Sequence, residues 1–167
     1  YTLYSVAAIV VVFLGGMLID RIGTRWASLI FSVLIVIGAC IVAVAPNVMV
    51  AGLGRLVFGA GSESLVVAQS AILARWFKGK ELAFSFGFTL AIARLGTLFS
   101  FNTEELIASR LGWHTALWAA AGLCVLSLLA NLVYYVMDRH GEKVLGLAEA
   151  GSGDKIVFAD IKKFSSS

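Results

Sequence analysis

Residues 54–77, with the sequence GRLVFGAGSESLVVAQSAILARWF, are long and apolar enough to cross a membrane, yet they carry two charges. Arg55 and Glu63 both lie well inside this run. A charge at the centre of a bilayer costs about 2.5–3.5 kcal/mol even on the lower scales, so such residues usually face a partner or a watery cavity. The run therefore predicts a membrane helix that brings polar groups into the interior of a bundle.

Other apolar runs flank this one, and together they predict an all-α membrane protein with a single helical bundle over residues 1–137. Backbone amides in lipid must be hydrogen-bonded within the chain, which favours helices. Only 14% of the residues are charged, against roughly 25% in soluble domains, which disfavours a soluble globular protein. The predicted spans are residues 3–19, 26–44, 48–77, 82–107 and 114–137.

The distribution of basic residues predicts which loops face the cytosol. One set of loops carries most of the lysines and arginines, whereas the other holds only Arg110, beside Glu104 and Glu105. Cytoplasmic loops are enriched in basic residues, so the first set is predicted to be cytosolic. Residues 138–167, which contain glycine, serine and lysine, are predicted to form a cytosolic linker. The chain begins at Tyr1 inside an apolar run, without an initiator methionine, and is interpreted as part of a larger protein.

Several other functions are disfavoured by the placement of reactive residues. The net charge is +3, but the basic residues lie at the ends of apolar runs, where they orient spans rather than bind nucleic acid. Cys40 and Cys124 lie in the middle of apolar runs and are expected to be small buried hydrophobes. The two histidines are near a span end and in the tail. No metal site, cofactor or enzymatic centre is predicted.

The charges inside the spans can be compared by depth. Glu63 and Arg94 both lie roughly 18–20 Å from the predicted cytosolic ends of their helices, at about 1.5 Å of rise per residue. They belong to consecutive helices, so a Glu63–Arg94 pair is predicted, either direct or through water or a solute. Arg55 lies about 12 Å farther from the cytosol than Glu63. The pair could simply fix helix packing, or it could hold the amine and carboxylate of a zwitterionic solute.

Small and polar residues give weaker indications of helix packing. Small side chains recur every four residues on the third and fourth spans, a pattern that allows close helix approach. Polar groups inside or near these spans are expected to make interhelical hydrogen bonds more often than ligand contacts. The small residues are Ala60, Ser64 and Ala68 on the third span and Ala83, Gly87 and Ala91 on the fourth, and the polar ones are Gln69, Thr97 and Asn102.

Residues 15–28, GGMLIDRIGTRWAS, fit the pattern G-x-L-x-D-R-x-G-x-R. This pattern resembles the loop between the second and third helices of the major facilitator superfamily, and GRLVFGAG resembles the motif of its fourth helix. The resemblance implies that five of the six helices of the N-terminal half, helices two to six, are present. Helix one and the C-terminal half would be missing partners. The pattern is met by Gly16, Leu18, Asp20, Arg21, Gly23 and Arg25.

Further segments are similar to a lysosomal member of the superfamily. These segments are GSESLVVAQ, WFKGKEL, FGFTLAIARLGT and IVFADIKKFS. The resemblance implies facilitated, uniport-type export of dipeptides across the lysosomal membrane, with an accessory lysosomal membrane glycoprotein as a partner. It also implies that Glu63 and Arg94 are substrate-site residues, with Arg55 lining or bracing the site. The loop residues Asp20, Arg21 and Arg25 would help to hold one of two conformations.

Three functions remain open at this point. The leading hypothesis is a secondary transporter that rocks about a site near the membrane midplane, surrounded by lipid and acting on a small solute. A facilitator that carries sugars or organic anions is an alternative within the same class. A membrane scaffold or receptor that transports nothing is an alternative from another class.

Overall fold

The computed structural model describes the backbone of residues 2–145 and the side chains of residues 11–141. Five α-helices follow one another with short connections and, in this part of the chain, without strands. This confirms the predicted all-α class. The helices are α1 (Thr2–Ile22), α2 (Thr24–Val44), α3 (Val48–Trp76), α4 (Lys80–Leu111) and α5 (Trp113–Leu145).

Four of the five helices are longer than the predicted spans, mainly at their polar ends, whereas α3 ends at Trp76, one residue before its predicted end. α4 continues past its predicted end at residue 107 to Leu111. It ends at Gly112, whose φ of 90° and ψ of 157° suit only glycine. α5 continues beyond the predicted boundary at Met137 to Leu145, into the segment predicted to be a linker. The rest of that segment, residues 146–167, lies outside the described residues.

Side chains from α1, α2 and α3 form a common core. Ile19 of α1, Ala27 and Phe31 of α2, and Ala68 of α3 are all buried there. Partly buried aliphatic residues from the same helices pack around them. Two of these four side chains, Ala27 and Ala68, are small, which lets the helices approach one another closely, as is common in membrane bundles.

Within the described residues, four helices are long and apolar enough to cross a membrane. They are α2, α3, α4 and the part of α5 from Trp113 to Gly141. Much of their surface is apolar, and α4 has no buried residue at all. Phe84 and Phe101 of α4, for example, are 74% and 71% exposed. Such outward-facing side chains suit a lipid environment or contact with further protein.

The described chain divides into two compact units, with the boundary between Leu132 and Val133 inside α5. The first unit contains α1 to α4 and the beginning of α5. The second contains the remainder of α5 as far as Leu145. All the packing described below lies within the first unit.

Candidate functional site

One face of α3 is packed tightly against α2. A Cβ atom added to Gly61 would lie 2.9 Å from the carbonyl oxygen of Phe31, and one added to Gly54 would lie 2.8 Å from Val42 Cγ2. On the α2 side, a Cβ on Gly38 would lie 2.5 Å from the backbone nitrogen of Phe58. The glycines are therefore required where the two backbones come closest. Gly59, in the same GRLVFGAG motif, has nothing within 4 Å of such an atom.

α1 packs on α3 at Ser64, about one turn after Gly61. A Cβ on Gly15 would lie 2.6 Å from the Oγ atom of Ser64, which is 3% exposed. Ser64 directly follows Glu63 in the sequence. α3 is therefore held by α2 at Gly61 and by α1 at Ser64, on either side of Glu63 in the sequence. These contacts determine how α3 is rotated about its own axis.

That rotation turns Glu63 away from the packed face. The buried residues Gly54, Gly61, Ser64 and Ala68 form one stripe along α3. At about 100° per residue, Glu63 lies roughly 145° around the helix from the centre of this stripe, and Arg55 roughly 135°. Glu63 is half-buried and Arg55 is exposed. Both charges thus project to the side of α3 that α1 and α2 leave open.

Arg94 lies on α4, which follows α3 after the short turn at residues 77–79. Measured from the helix ends at this turn, Glu63 and Arg94 are both roughly 20 Å along their helices. Arg94 is exposed, and within residues 11–141 no ion pair or hydrogen bond joins it to Glu63. The two residues share a depth, while their direct or bridged pairing stays a prediction.

A groove with both polar and apolar lining follows Arg94 along α4. It is open, has a volume of about 300 Å³ and is lined by Gly96, Thr97, Ser100, Phe101 and Glu104. Within it, Ser100 Oγ donates a hydrogen bond of 2.9 Å to Glu104 Oε1. Thr97, Phe101 and Glu104 lie on the same side of α4 as Arg94, at roughly 100° per residue. The groove thus extends the polar face of Arg94 toward the end of α4.

Two expectations about helix packing prove wrong on α4. Thr97 Oγ1 donates to the carbonyl oxygen of Ala93 at 2.9 Å, and Asn102 Nδ2 donates to that of Leu98 at 2.8 Å. Both bonds are within the helix rather than between helices, because a side chain can reach the carbonyl four residues earlier. The second expectation concerned the small residues of α4, and all three, Ala83, Gly87 and Ala91, are exposed. On α3, by contrast, Ser64 and Ala68 are buried.

The loop motif is built around Gly23, which separates α1 from α2. Its φ of 84° and ψ of 156° lie in a region that essentially only glycine occupies. Its N–H donates to Ile19 O at 2.8 Å, so the turn follows directly from the last turn of α1. Asp20 and Arg21 are exposed beside it, and Arg25 is half-buried at the start of α2. The motif therefore presents charged side chains from a sharply defined turn.

Replacing Gly23 with alanine is expected to lower the free energy of unfolding by about 1–3 kcal/mol, because the substituted residue would be held in a disfavoured conformation. Gly16→Ala is the matched control in the same motif: Gly16 is helical, and nothing lies within 4 Å of an added Cβ. Thermal unfolding of the protein in detergent measures the difference. Equal melting temperatures for the two variants would contradict the role of Gly23.

Sequence reasoning missed a polar cluster between α2 and α5. Asn131 Nδ2 donates to the carbonyl oxygen of Ser28 at 3.0 Å and to Ser32 Oγ at 2.6 Å. Ser28 Oγ lies 3.3 Å from Asn131 Oδ1. Ser28 and Ser32 are 1% and 3% exposed. The signal that could have revealed the cluster is a lone amide in the apolar run SLLANLVYY, together with two serines four residues apart.

Comparison with known proteins places these features in a family. The sequence profile of the Major Facilitator Superfamily matches residues 1–165. The chain is 40% identical over 182 residues to the "Lysosomal dipeptide transporter MFSD1" of Mus musculus, and 36% identical over 179 residues to those of Danio rerio and Homo sapiens. These alignments cover 99% of the chain but only 38–39% of each relative.

No solved structure matches the chain with significance. The profile match spans both the loop that contains Gly23 and the packed glycines of α3. It also includes the four helices of the described part of the chain that are long and apolar enough to cross a membrane. The chain therefore belongs to the major facilitator superfamily, and it is a multi-pass membrane protein.

Proposed function

We propose that the chain is helices two to six of the N-terminal half of a secondary transporter, which carries dipeptides out of the lysosome by alternating access. The observation that carries this proposal is the 36–40% identity, over 99% of the chain, to relatives that bear the name lysosomal dipeptide transporter. The chain spans less than two fifths of their length. Helix one and the C-terminal half would complete the cavity.

In this proposal, Glu63 and Arg94 bind the two charged ends of a zwitterionic solute. Support comes from their shared depth and from the orientation of Glu63, which points away from the face of α3 packed on α1 and α2. A carboxylate suits an ammonium group, and a guanidinium can bind a carboxylate through two parallel hydrogen bonds. Arg55 lies nearer the other end of α3 and lines or braces the same polar face. The solute leaves chemically unchanged, so no enzymatic activity is expected.

The test is transport by the full-length protein in liposomes. Uptake of a labelled dipeptide should be saturable and should be reduced by other unlabelled dipeptides. Free amino acids, a hexose and a dicarboxylate serve as competitors of different chemistry. Competition by the hexose or the dicarboxylate alone would point to a different carrier. Absence of flux for every solute, with folded protein in the membrane, would favour a scaffold.

The proposed partner is an accessory lysosomal membrane glycoprotein. Co-purification of one glycoprotein in constant ratio from lysosomal membranes would support the assignment. Recovery of the transporter alone under mild detergent conditions would contradict it.

A further inference from the structure

The cluster formed by Ser28, Ser32 and Asn131 uses most of the hydrogen-bonding capacity of the asparagine. Its Nδ2 group has two hydrogens, and these are directed at Ser28 O and Ser32 Oγ. Its Oδ1 atom lies within reach of the Ser28 hydroxyl. An amide has two donor hydrogens, and both are used here, so no donor is left for a solute. Asn131 is therefore suited to positioning other groups rather than to binding a ligand.

The cluster is connected to the loop motif by a further hydrogen bond. Ser28 Oγ lies 2.9 Å from the carbonyl oxygen of Arg25, the last residue of the motif. The single hydroxyl hydrogen of Ser28 can therefore serve either Arg25 O or Asn131 Oδ1. Arg25 and Ser28 belong to the first two turns of α2, immediately after Gly23. A substitution at Asn131 can therefore affect the loop through the hydrogen bonds of Ser28.

The rest of the packing does not need this cluster to hold α2 in place. α2 is already fastened to α3 by the close approaches at Gly38, Gly54 and Gly61, and to α1 through the shared apolar core. What Asn131 adds is a link between the start of α2 and α5. Hydrogen bonds between membrane helices are individually modest, which suits an interaction that biases a conformational equilibrium more than it holds the fold together.

We propose that Asn131 is a positioning residue of the transport cycle, which orients the loop at residues 20–25 by holding Ser28 and Ser32 of α2 against α5. The idea rests on the proposed transport function, in which that loop stabilises one of two conformations. Loss of the amide would remove the link between the start of α2 and α5, while α2 stays packed on α1 and α3. The balance between the two conformations, and with it the rate of transport, would then change while the bundle stays folded.

The test uses Asn131→Leu in the full-length transporter, since leucine is close to asparagine in size but makes no hydrogen bond. Asn102→Leu is the matched control, because the amide of Asn102 bonds only within its own helix. The reporter is Ile22→Cys, at an exposed position between Asp20 and Gly23 that is not part of the motif. Cys40, Cys124 and every cysteine in the rest of the full-length transporter are replaced by alanine in all variants, so that a membrane-impermeant thiol reagent modifies only the reporter.

For Asn131→Leu we expect the labelling rate of the reporter to change by about threefold to tenfold, with a comparable fall in maximal dipeptide flux per folded molecule. Asn102→Leu should change neither. Ser32→Ala, which removes only one acceptor, should give a smaller shift in the same direction, and it tests the proposal if Asn131→Leu does not fold. An unchanged labelling rate in folded Asn131→Leu or Ser32→Ala would overturn the proposal.

The labelling measurement also separates this proposal from the proposed function. If the unmodified protein moves no dipeptide but Asn131→Leu changes the labelling rate, the dipeptide assignment fails and the positioning role stands. If dipeptides are transported normally and the labelling rate does not depend on residue 131, the positioning role fails alone. A fall in flux that only follows the amount of folded protein would also count against it.

Discussion

Dipeptide transport should fall by about thirtyfold or more when Glu63 is replaced by glutamine. The substitution keeps the size of the side chain but removes the charge that would bind the ammonium end of the solute. Loss of one partner of a desolvated charge pair costs about 2–5 kcal/mol, most of it because the other charge is left unpaired. Initial rates of dipeptide uptake in liposomes, corrected for folded protein, measure the effect. Glu105→Gln, at an exposed carboxylate near the end of α4, is the control.

Arg94→Lys probes the other end of the solute without removing the charge. Lysine cannot form the two parallel hydrogen bonds that a guanidinium makes with a carboxylate, so affinity is expected to fall even though the charge remains. The half-saturation concentration should therefore rise more than in the Glu105→Gln control. Full transport rates in correctly folded and located Glu63→Gln or Arg94→Lys protein would show that the site has been assigned to the wrong residues.

The second large effect is expected at Gly38, where α2 and α3 are closest. In Gly38→Ala the new Cβ atom would meet the backbone nitrogen and Cα atom of Phe58 at 2.5 and 2.7 Å. Backbone atoms cannot turn aside as a flexible side chain can, so the helices must separate. Overpacking of this kind costs about 1–3 kcal/mol, and the separation would also disturb the face of α3 that orients Glu63. A lower melting temperature in detergent and reduced transport are both expected.

Gly59→Ala provides the comparison for Gly38→Ala. Gly59 lies on α3 within the GRLVFGAG motif, but an added Cβ would meet nothing within 4 Å. Alanine also has a higher helix propensity than glycine, so this variant should be at least as stable as the unmodified protein. Equal loss of stability in the two variants would contradict the close approach of α2 and α3.

The number, type and approximate position of the helices follow from the sequence because they depend on local properties. A long apolar run must satisfy its own backbone hydrogen bonds in lipid, and a helix does so whatever its neighbours are. The depth of Glu63 and Arg94 follows in the same way, because the rise per residue is a constant of the helix. The family resemblance also rests on local sequence motifs, and the match of residues 1–165 to the sequence profile of the Major Facilitator Superfamily confirms it.

The rotation of each helix could not be read from the sequence, because it depends on which side chains interlock with a neighbouring helix. The GRLVFGAG motif contains three glycines, yet only Gly54 and Gly61 touch α2, while Gly59 does not. Asn131 likewise looks like any isolated amide until its partners on α2 are known, since 99 and 103 residues separate it from Ser32 and Ser28.

The charged run at residues 54–77 combines both kinds of information. Its sequence alone determined that a membrane helix carries Arg55 and Glu63, and at what depths, because helical rise is set by the backbone. Only the tertiary structure decided which way these charges point. Packing of Gly61 on α2 and of Ser64 on Gly15 of α1 uses one face of α3 and leaves Glu63 on the other. The physical reason is that close contact between helices requires small residues on the facing sides, so the larger charged side chains are turned away from it.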